Sequence, residues 1–181
     1  YNSILSTLTL YIILINLEIL AMKLILVHPL IPQNAGSIGR LCAGMDIELV
    51  FVQPLGFKIE DRYLKRAGLD YWPWIKYSVA SSWQEAFEHV SHPWFFTVHT
   101  HQSYTDVTYQ EADALVFGSE NTGLPMELLE RYSENRRVCI PMTNPNVRSL
   151  NLAQCAAVGL CEARRQVGFP PHRVVEAKPS T

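Results

Sequence analysis

Three polar loops interrupt an otherwise apolar chain, and each holds residue types that could do chemistry. HPLIPQNAGSIGRLC (28–42) carries Asn34 and Arg40, FGSENTGLP (117–125) carries Gly118, Glu120, Asn121 and Gly123, and IPMTNPNVRSLNLAQCAAVG (140–159) carries Arg148, Ser149 and Asn151. In the second loop the glycines permit close backbone approach or positive φ beside a carboxylate. In the third, a charge and two amide or hydroxyl groups stand at the mouth of an alanine-rich helix. Each has a plain structural reading too. Ser149 or Asn34 could be a helix N-cap, FGSENTGLP a good turn with Pro125 suited to a first helical turn, and Arg40 and Arg148 solvated charges. The first loop has glycines but no GxGxxG, which disfavours a dinucleotide site.

These loops need elements to position them. Short apolar runs at 23–28, 48–53, 75–79, 94–99, 113–118 and 137–142 read as strands covered on both faces. Helical patterns lie between them at 36–45, 61–67, 82–90, 125–132 and 149–167, the third opened by Ser82 and Glu85 as a capping box, the last closed by Gly168 with Pro170 beyond. Alternation of this kind predicts an α/β fold with a mostly parallel sheet and helices on both faces. The loops at the carboxyl ends of its strands are then the default ligand site. All three polar loops fall there.

With 181 residues, 48% hydrophobic and 18% charged, the chain has material for one core. Residues 22–172 are expected to form the domain, with 173–181 a flexible tail. Residues 1–21 are Ile- and Leu-rich, lack Lys and Arg, and precede Met22 and the strand KLILVH. They fit neither a signal peptide nor a spanning helix well, and the expectation is a non-native or disordered extension, a membrane anchor being the other reading. A net charge of −2 gives no global basic field, so a nucleic-acid partner would be held by a local patch. Cys42, Cys139, Cys155 and Cys161 contain no CxxC pair, which suggests a reducing, cytoplasmic setting without structural zinc. His99 and His101 alternate at a strand end but lack a third ligand nearby in sequence, so no metal is expected.

NAGSIGRLC, FGSENTGLP and IPMTNPNVRSLNLAQCAAVGLCEA resemble, in order and spacing, the three motifs of the SPOUT superfamily of RNA methyltransferases. The likeness is closest to the small TrmL-like (YibK-like) tRNA 2′-O-methyltransferases, with QPLGFKIEDRYLKRAGLDY also in register, and covers residues 23 to about 169. It implies a C-terminal deep trefoil knot, an exception to the rule that chains do not thread loops, and a homodimer that binds S-adenosylmethionine in the knot. It further implies 2′-O-methylation of the tRNA wobble nucleotide in the anticodon stem-loop, with no membrane role. Methylation of rRNA by the same fold and a knotted RNA-binding protein without turnover are the alternatives. Retention of Arg40, Glu120, Ser149 and Asn151 favours an enzyme.

Methyl transfer from a sulfonium to a ribose hydroxyl is an in-line displacement whose leaving thioether needs neither acid nor metal, so positioning carries most of the barrier reduction. Carried over by position, the resemblance sets the cofactor against Val98, Gly118, Ile140 and Ser149, with His99, Thr100, Glu120, Met142 and Leu150 nearby. Asn34 and Arg148 would meet RNA, as would Asn151, which would also shape the bend of the knotted loop. Arg40 would act at the reacting ribose. Guanidinium is a poor base, so orientation and charge stabilisation are expected rather than proton abstraction. WPWIKY (72–77) could be core, dimer surface or base-stacking platform, and Arg62, Lys65 and Arg66 could meet phosphates or be simply solvated. Relatives often have tyrosine where this chain has Cys161 before Glu162, and MTNPNVRS is one residue longer than in some of them.

Overall fold

The computed structural model describes residues 21–59, 71–169 and 171. The extension at 1–20, the expected helix at 61–67 with Arg62, Lys65 and Arg66, and the tail from 172 lie outside them. The described elements run β1 Lys23–Val27, α1 Pro32–Gly44, β2 Glu48–Val52, a 3₁₀ turn Trp72–Trp74, β3 Tyr77–Ala80, α2 Trp83–Ala86, β4 His92–Phe96 and β5 Asp113–Phe117. They continue with α3 Met126–Glu130, a 3₁₀ turn Glu134–Arg136, β6 Arg137–Val138 and α4 Leu152–Val167. All six strands are parallel, in the order β3-β2-β1-β5-β4-β6. The chain therefore builds outward from β1 in one direction, then returns to the other side of it. A reversal of this kind opens a crevice at the carboxyl ends of the central strands.

Helices cover both faces, as the unalternating strands require. Leu24, Leu26, Leu49, Phe51, Leu115 and Phe117 pack with Ala35, Ile38 and Cys42 of α1 and Ala156, Leu160 and Ala163 of α4. Ile25, Val27, Val50, Phe95 and Val116 face Leu128 and Leu129 of α3, with Trp83 and Ala86 of α2 at their margin. Burial of the Cys42 thiol pushes its pKa up to about 12, so it acts as a core hydrophobe.

Where the elements depart from expectation, local chemistry explains why. Helix α1 starts four residues early because Pro32 sits in its first turn, where a missing N–H costs nothing. The WPW turn occupies the residues before β3, which begins at Tyr77 rather than Ile75. Past Ala86 the helix continues only as turns, Glu88 N–H to Glu85 O and Val90 N–H to Phe87 O. Its start is a variant of the expected box: Ser82 Oγ accepts from Glu85 N–H, but the Glu85 carboxylate reaches Ser81 N–H at 2.8 Å. Strand β6 ends at Val138 because Cys139 pairs with the loop following β4, its N–H donating to Gln102 O and its carbonyl accepting from Tyr104 N–H. Because β4 stops at Phe96, His99 and His101 lie in that loop and do not share a strand face.

The loop is also tied to α4. Gln166 accepts from Tyr109 N–H at 3.0 Å and donates to Val107 O at 3.0 Å, while Arg164 meets Glu111 at 2.7 Å. Glu162 holds the far side of this arrangement through two 2.8 Å bonds from Arg165 and one from Gln166, which lower its pKa to about 2. A carboxyl depressed in the fold stabilises it fully above its ordinary pKa and loses that contribution as pH falls toward the folded value. The Tm difference between wild type and Glu162→Gln should therefore be constant above about pH 5 and shrink between there and about pH 2. Thermal melts across that range check it, and a pH-independent difference would refute the linkage.

Candidate active site

The crevice at the strand ends is a cavity of about 830 Å³, a volume that fits a nucleoside-sized ligand. Its floor is Phe96 and Phe117, which stack with centroids 4.5 Å apart at the ends of β4 and β5. Its walls are the loops after β4, β5 and β6, together with the start of α1.

One chain of hydrogen bonds locks three of these segments. Glu120 accepts from Leu30 N–H at 2.8 Å, Ile31 N–H at 3.2 Å and Asn34 Nδ2 at 2.9 Å. Ile31, the N-cap of α1, has no side chain that could cap it, so a carboxylate from another loop supplies the negative charge that a helix start favours. Asn34 Oδ1 accepts from Asn151 Nδ2 at 2.9 Å, and Asn151 Oδ1 caps α4 by accepting from Ala153 N–H at 2.9 Å and Gln154 N–H at 3.4 Å. Asn151, not Ser149, is thus the N-cap, and Asn34 is a buried relay inside the first turn rather than a cap. The RNA contacts implied for Asn34 and Asn151 would have to share amides already engaged with each other.

The loop after β5 is a closed hairpin-like turn. Ser119 N–H donates to Gly123 O and Gly123 N–H to Ser119 O, at 3.1 and 2.9 Å, and Gly123 takes φ +69°, the left-handed region glycine tolerates. Gly118 lies against the turn's return limb, where a side chain at its Cα would meet Gly123 C and O and Leu124 N at 2.0–2.3 Å. Ser119 Oγ and Thr122 Oγ1 share a hydrogen bond of 2.9 Å at the wall.

Of the anticipated residues, Asn34, Val98, His99, Gly118, Glu120, Ile140, Met142, Arg148, Ser149, Leu150 and Asn151 all line the cavity. Two do not. Thr100 turns its hydroxyl to Gln102 N–H at 3.2 Å. Arg40 lies in a neighbouring groove between α1 and α4, with its guanidinium 4.5 Å from the centroid of the Tyr71 ring. Sequence reasoning missed Ser119, Thr122 and Cys155 as lining residues. Cys155 stands four residues after Asn151, hence on the same helical face, a spacing that could have found it. Burial raises its thiol pKa, and Sγ donates to Leu150 O at 3.7 Å, so it is wall rather than nucleophile. Cys161 is exposed on α4. Among the described residues no three His, Cys, Asp or Glu side chains cluster as a metal site, and no helix is long and apolar enough to cross a membrane.

A parallel α/β sheet with a cavity at its reversal point, walled by polar loops and floored by aromatic rings, is the arrangement in which open α/β proteins bind their ligands. Residues 21–161 match the SpoU rRNA Methylase family, and the chain belongs to that family. A Methylovorus glucosotrophus relative named tRNA (cytidine(34)-2′-O)-methyltransferase is 43% identical over 148 residues, covering 81% of this chain and 96% of the relative. A solved structure described as "Structural insights into the 2-OH methylation of C/U34 on tRNA" superposes with a TM-score of 0.76 at 39% identity, covering 81% of this chain and 95% of its own. The SpoU methyltransferase AviRb of Streptomyces viridochromogenes, in complex with the cofactor AdoMet, shares the fold at TM-score 0.70 and 22% identity, with coverage of 81% and 57%.

Proposed function

We propose that this protein methylates the ribose 2′-hydroxyl of nucleotide 34 in tRNA, a cytidine or modified uridine, using S-adenosylmethionine, as a cytoplasmic homodimer. The observation that carries the reading is the convergence of the three polar loops on one cavity, in a chain that matches nearly the whole length of relatives named for this reaction. Methylation of rRNA rests on the family's description and on a fold likeness at 22% identity.

The cavity fits the cofactor by its chemistry. Apolar side chains from Val98, Ile140, Met142, Leu150 and Leu152 suit an adenine face, and the Ser119, Thr122 and Ser149 hydroxyls suit ribose and amino-acid ends. When bound, the sulfonium supplies an electrophilic methyl group and departs as a neutral thioether. The chain's part is to hold the 2′-oxygen in line, exclude water and stabilise charge as the hydroxyl proton passes to solvent. Glu120 and Asn34 fix the loops; Arg40 orients the ribose.

Arg40 does not border the cavity of its own chain, which favours a dimer. Its groove also contains Ser37, Gly44, Ala153 and Ala157, small residues that admit a second helix pair at close range. A twofold contact there would carry each Arg40 toward the partner's cavity. The trefoil knot belongs to the same proposal. Support comes from the loop at 97–112, which pairs with Cys139 on one side and Gln166 on the other, while α4 packs centrally against α1 and β5.

Arg148 is exposed at the cavity rim and is assigned to RNA phosphate. Arg148→Ala should weaken tRNA binding and reduce the slope of log affinity against log salt by about one phosphate contact. Filter binding at several salt concentrations measures it, and an unchanged slope would refute the assignment. The function itself is tested by incubating purified protein and S-adenosylmethionine with tRNA and, separately, with rRNA, then mapping ribose methylation.

A further inference from the structure

The segment Tyr71–Tyr77 puts four aromatic rings at an edge of the sheet, one of them against Arg40, and the proposed function uses none of them. Trp72 packs on Tyr77, centroids 5.2 Å apart, and Tyr77 on the core ring of Phe51 at 6.2 Å. Tyr71 lies under the Arg40 guanidinium, and its hydroxyl accepts from Arg40 Nη2 at 3.4 Å. The indole of Trp74 is the exception: it is 76% exposed, the most exposed large apolar side chain among the described residues.

A rigid base holds this indole out. Trp74 ends a 3₁₀ turn in which Pro73 fixes φ, its N–H donates to Tyr71 O at 2.9 Å, and the next residue, Ile75, is buried against Gly39 of α1. Burying Ile75 anchors the turn to the helix that carries Arg40. Water exposure of a whole indole is unfavourable, and so is the ordering needed to present it.

We propose that Trp74, with Tyr71, is a stacking platform for an unpaired nucleobase of the RNA substrate, adjacent to the nucleotide that is methylated. The choice of occupant rests on charge and chemistry. A guanidinium beside flat aromatic faces complements a ligand that alternates anionic phosphate with π-surface. The surround is mixed: Tyr71, Tyr77 and Val79 are partly exposed beside Trp74, and an exposed Lys76–Asp46 ion pair of 2.7 Å follows along the chain. Single-stranded loops present splayed bases and duplexes do not, so the platform selects unpaired RNA.

The proposal rests on the functional reading for an RNA substrate and for Arg40 at the reacting ribose. Its test is binding of an anticodon stem-loop RNA, and of a duplex lacking the loop, to wild type, Trp74→Ala and Trp74→Phe. Trp74→Ala should raise the stem-loop Kd about tenfold, Trp74→Phe should recover most of that loss, and duplex affinity should be the same in all three. S-adenosylmethionine affinity, melting temperature and oligomeric state should not change, since the indole is solvated. Stem-loop binding by Trp74→Ala within twofold of wild type would overturn the platform. A shift in oligomeric state would overturn it too, because the indole would then belong to a contact between copies. Failure of the tRNA reading looks different: nucleotide 34 stays unmethylated while Trp74-dependent binding of unpaired RNA persists.

Discussion

Arg40→Ala should lose about 10²- to 10⁴-fold in methyl-transfer rate while binding S-adenosylmethionine within about twofold of wild type. The split follows from geometry. Arg40 lies outside the cavity of its own chain, and the group it is proposed to meet in the partner's is the ribose and not the cofactor, so cofactor affinity should not register its removal. The role proposed for it is confined to the transition state, where charge builds on the ribose oxygen, and such interactions appear in kcat rather than in ground-state binding. Folding should tolerate the change, because the side chain is exposed and its stacking on Tyr71 is worth about 0.5–1 kcal/mol at such a site. Arg40→Lys retains charge but not the planar fork, and should fall between the two. Single-turnover rates and calorimetric cofactor titration measure both quantities. A near-normal rate for Arg40→Ala would remove the catalytic assignment and leave the enzyme reading on the cavity loops alone.

Gly118→Ala should cost cofactor binding at least about a hundredfold, together with about 1–3 kcal/mol of stability. The added methyl would stand 2.0 Å from Gly123 C and 2.2 Å from Leu124 N. Those atoms are backbone, so no side-chain rotation relieves the clash. The turn must move, and it is held by the paired Ser119–Gly123 hydrogen bonds and by buried Leu124 and Leu128 behind it. Movement would shift Glu120, and with it the anchors at Leu30, Ile31 and Asn34. A local glycine change thus reaches the start of α1 through one carboxylate. Thermal melts and cofactor titration test it, and wild-type values for both would contradict the described packing.

Strand number, sheet type and the end of the sheet that binds ligand were legible because apolar runs without alternation mean strands covered on two faces, and β5, buried at every position, obeys this most fully. Loop lining was legible from the resemblance, whose three motifs hold nine of the cavity's anticipated residues, Val98 and His99 being carried over by position outside them. What sequence could not show were the partners a folded chain alone supplies. Asn34 and Asn151 are 117 positions apart, and only the close approach of α1 and α4 makes them a pair. The early end of β6 was equally hidden, since Cys139 bonds to a loop whose path no periodicity describes. Arg40 fell on the first helix as expected, yet its place on that helix turns it to a different groove, which a motif does not encode.

The site of methyl transfer is the most direct test of the proposed function. Unmodified and native tRNA pools would be incubated with the purified protein and S-adenosylmethionine carrying a labelled methyl group, then digested and mapped by mass spectrometry. Label is expected on the ribose 2′-oxygen of nucleotide 34 and on no base, entering about 10²- to 10⁴-fold more slowly with the Arg40→Ala variant. Label on a base, at another tRNA position, or only in ribosomal RNA would contradict it.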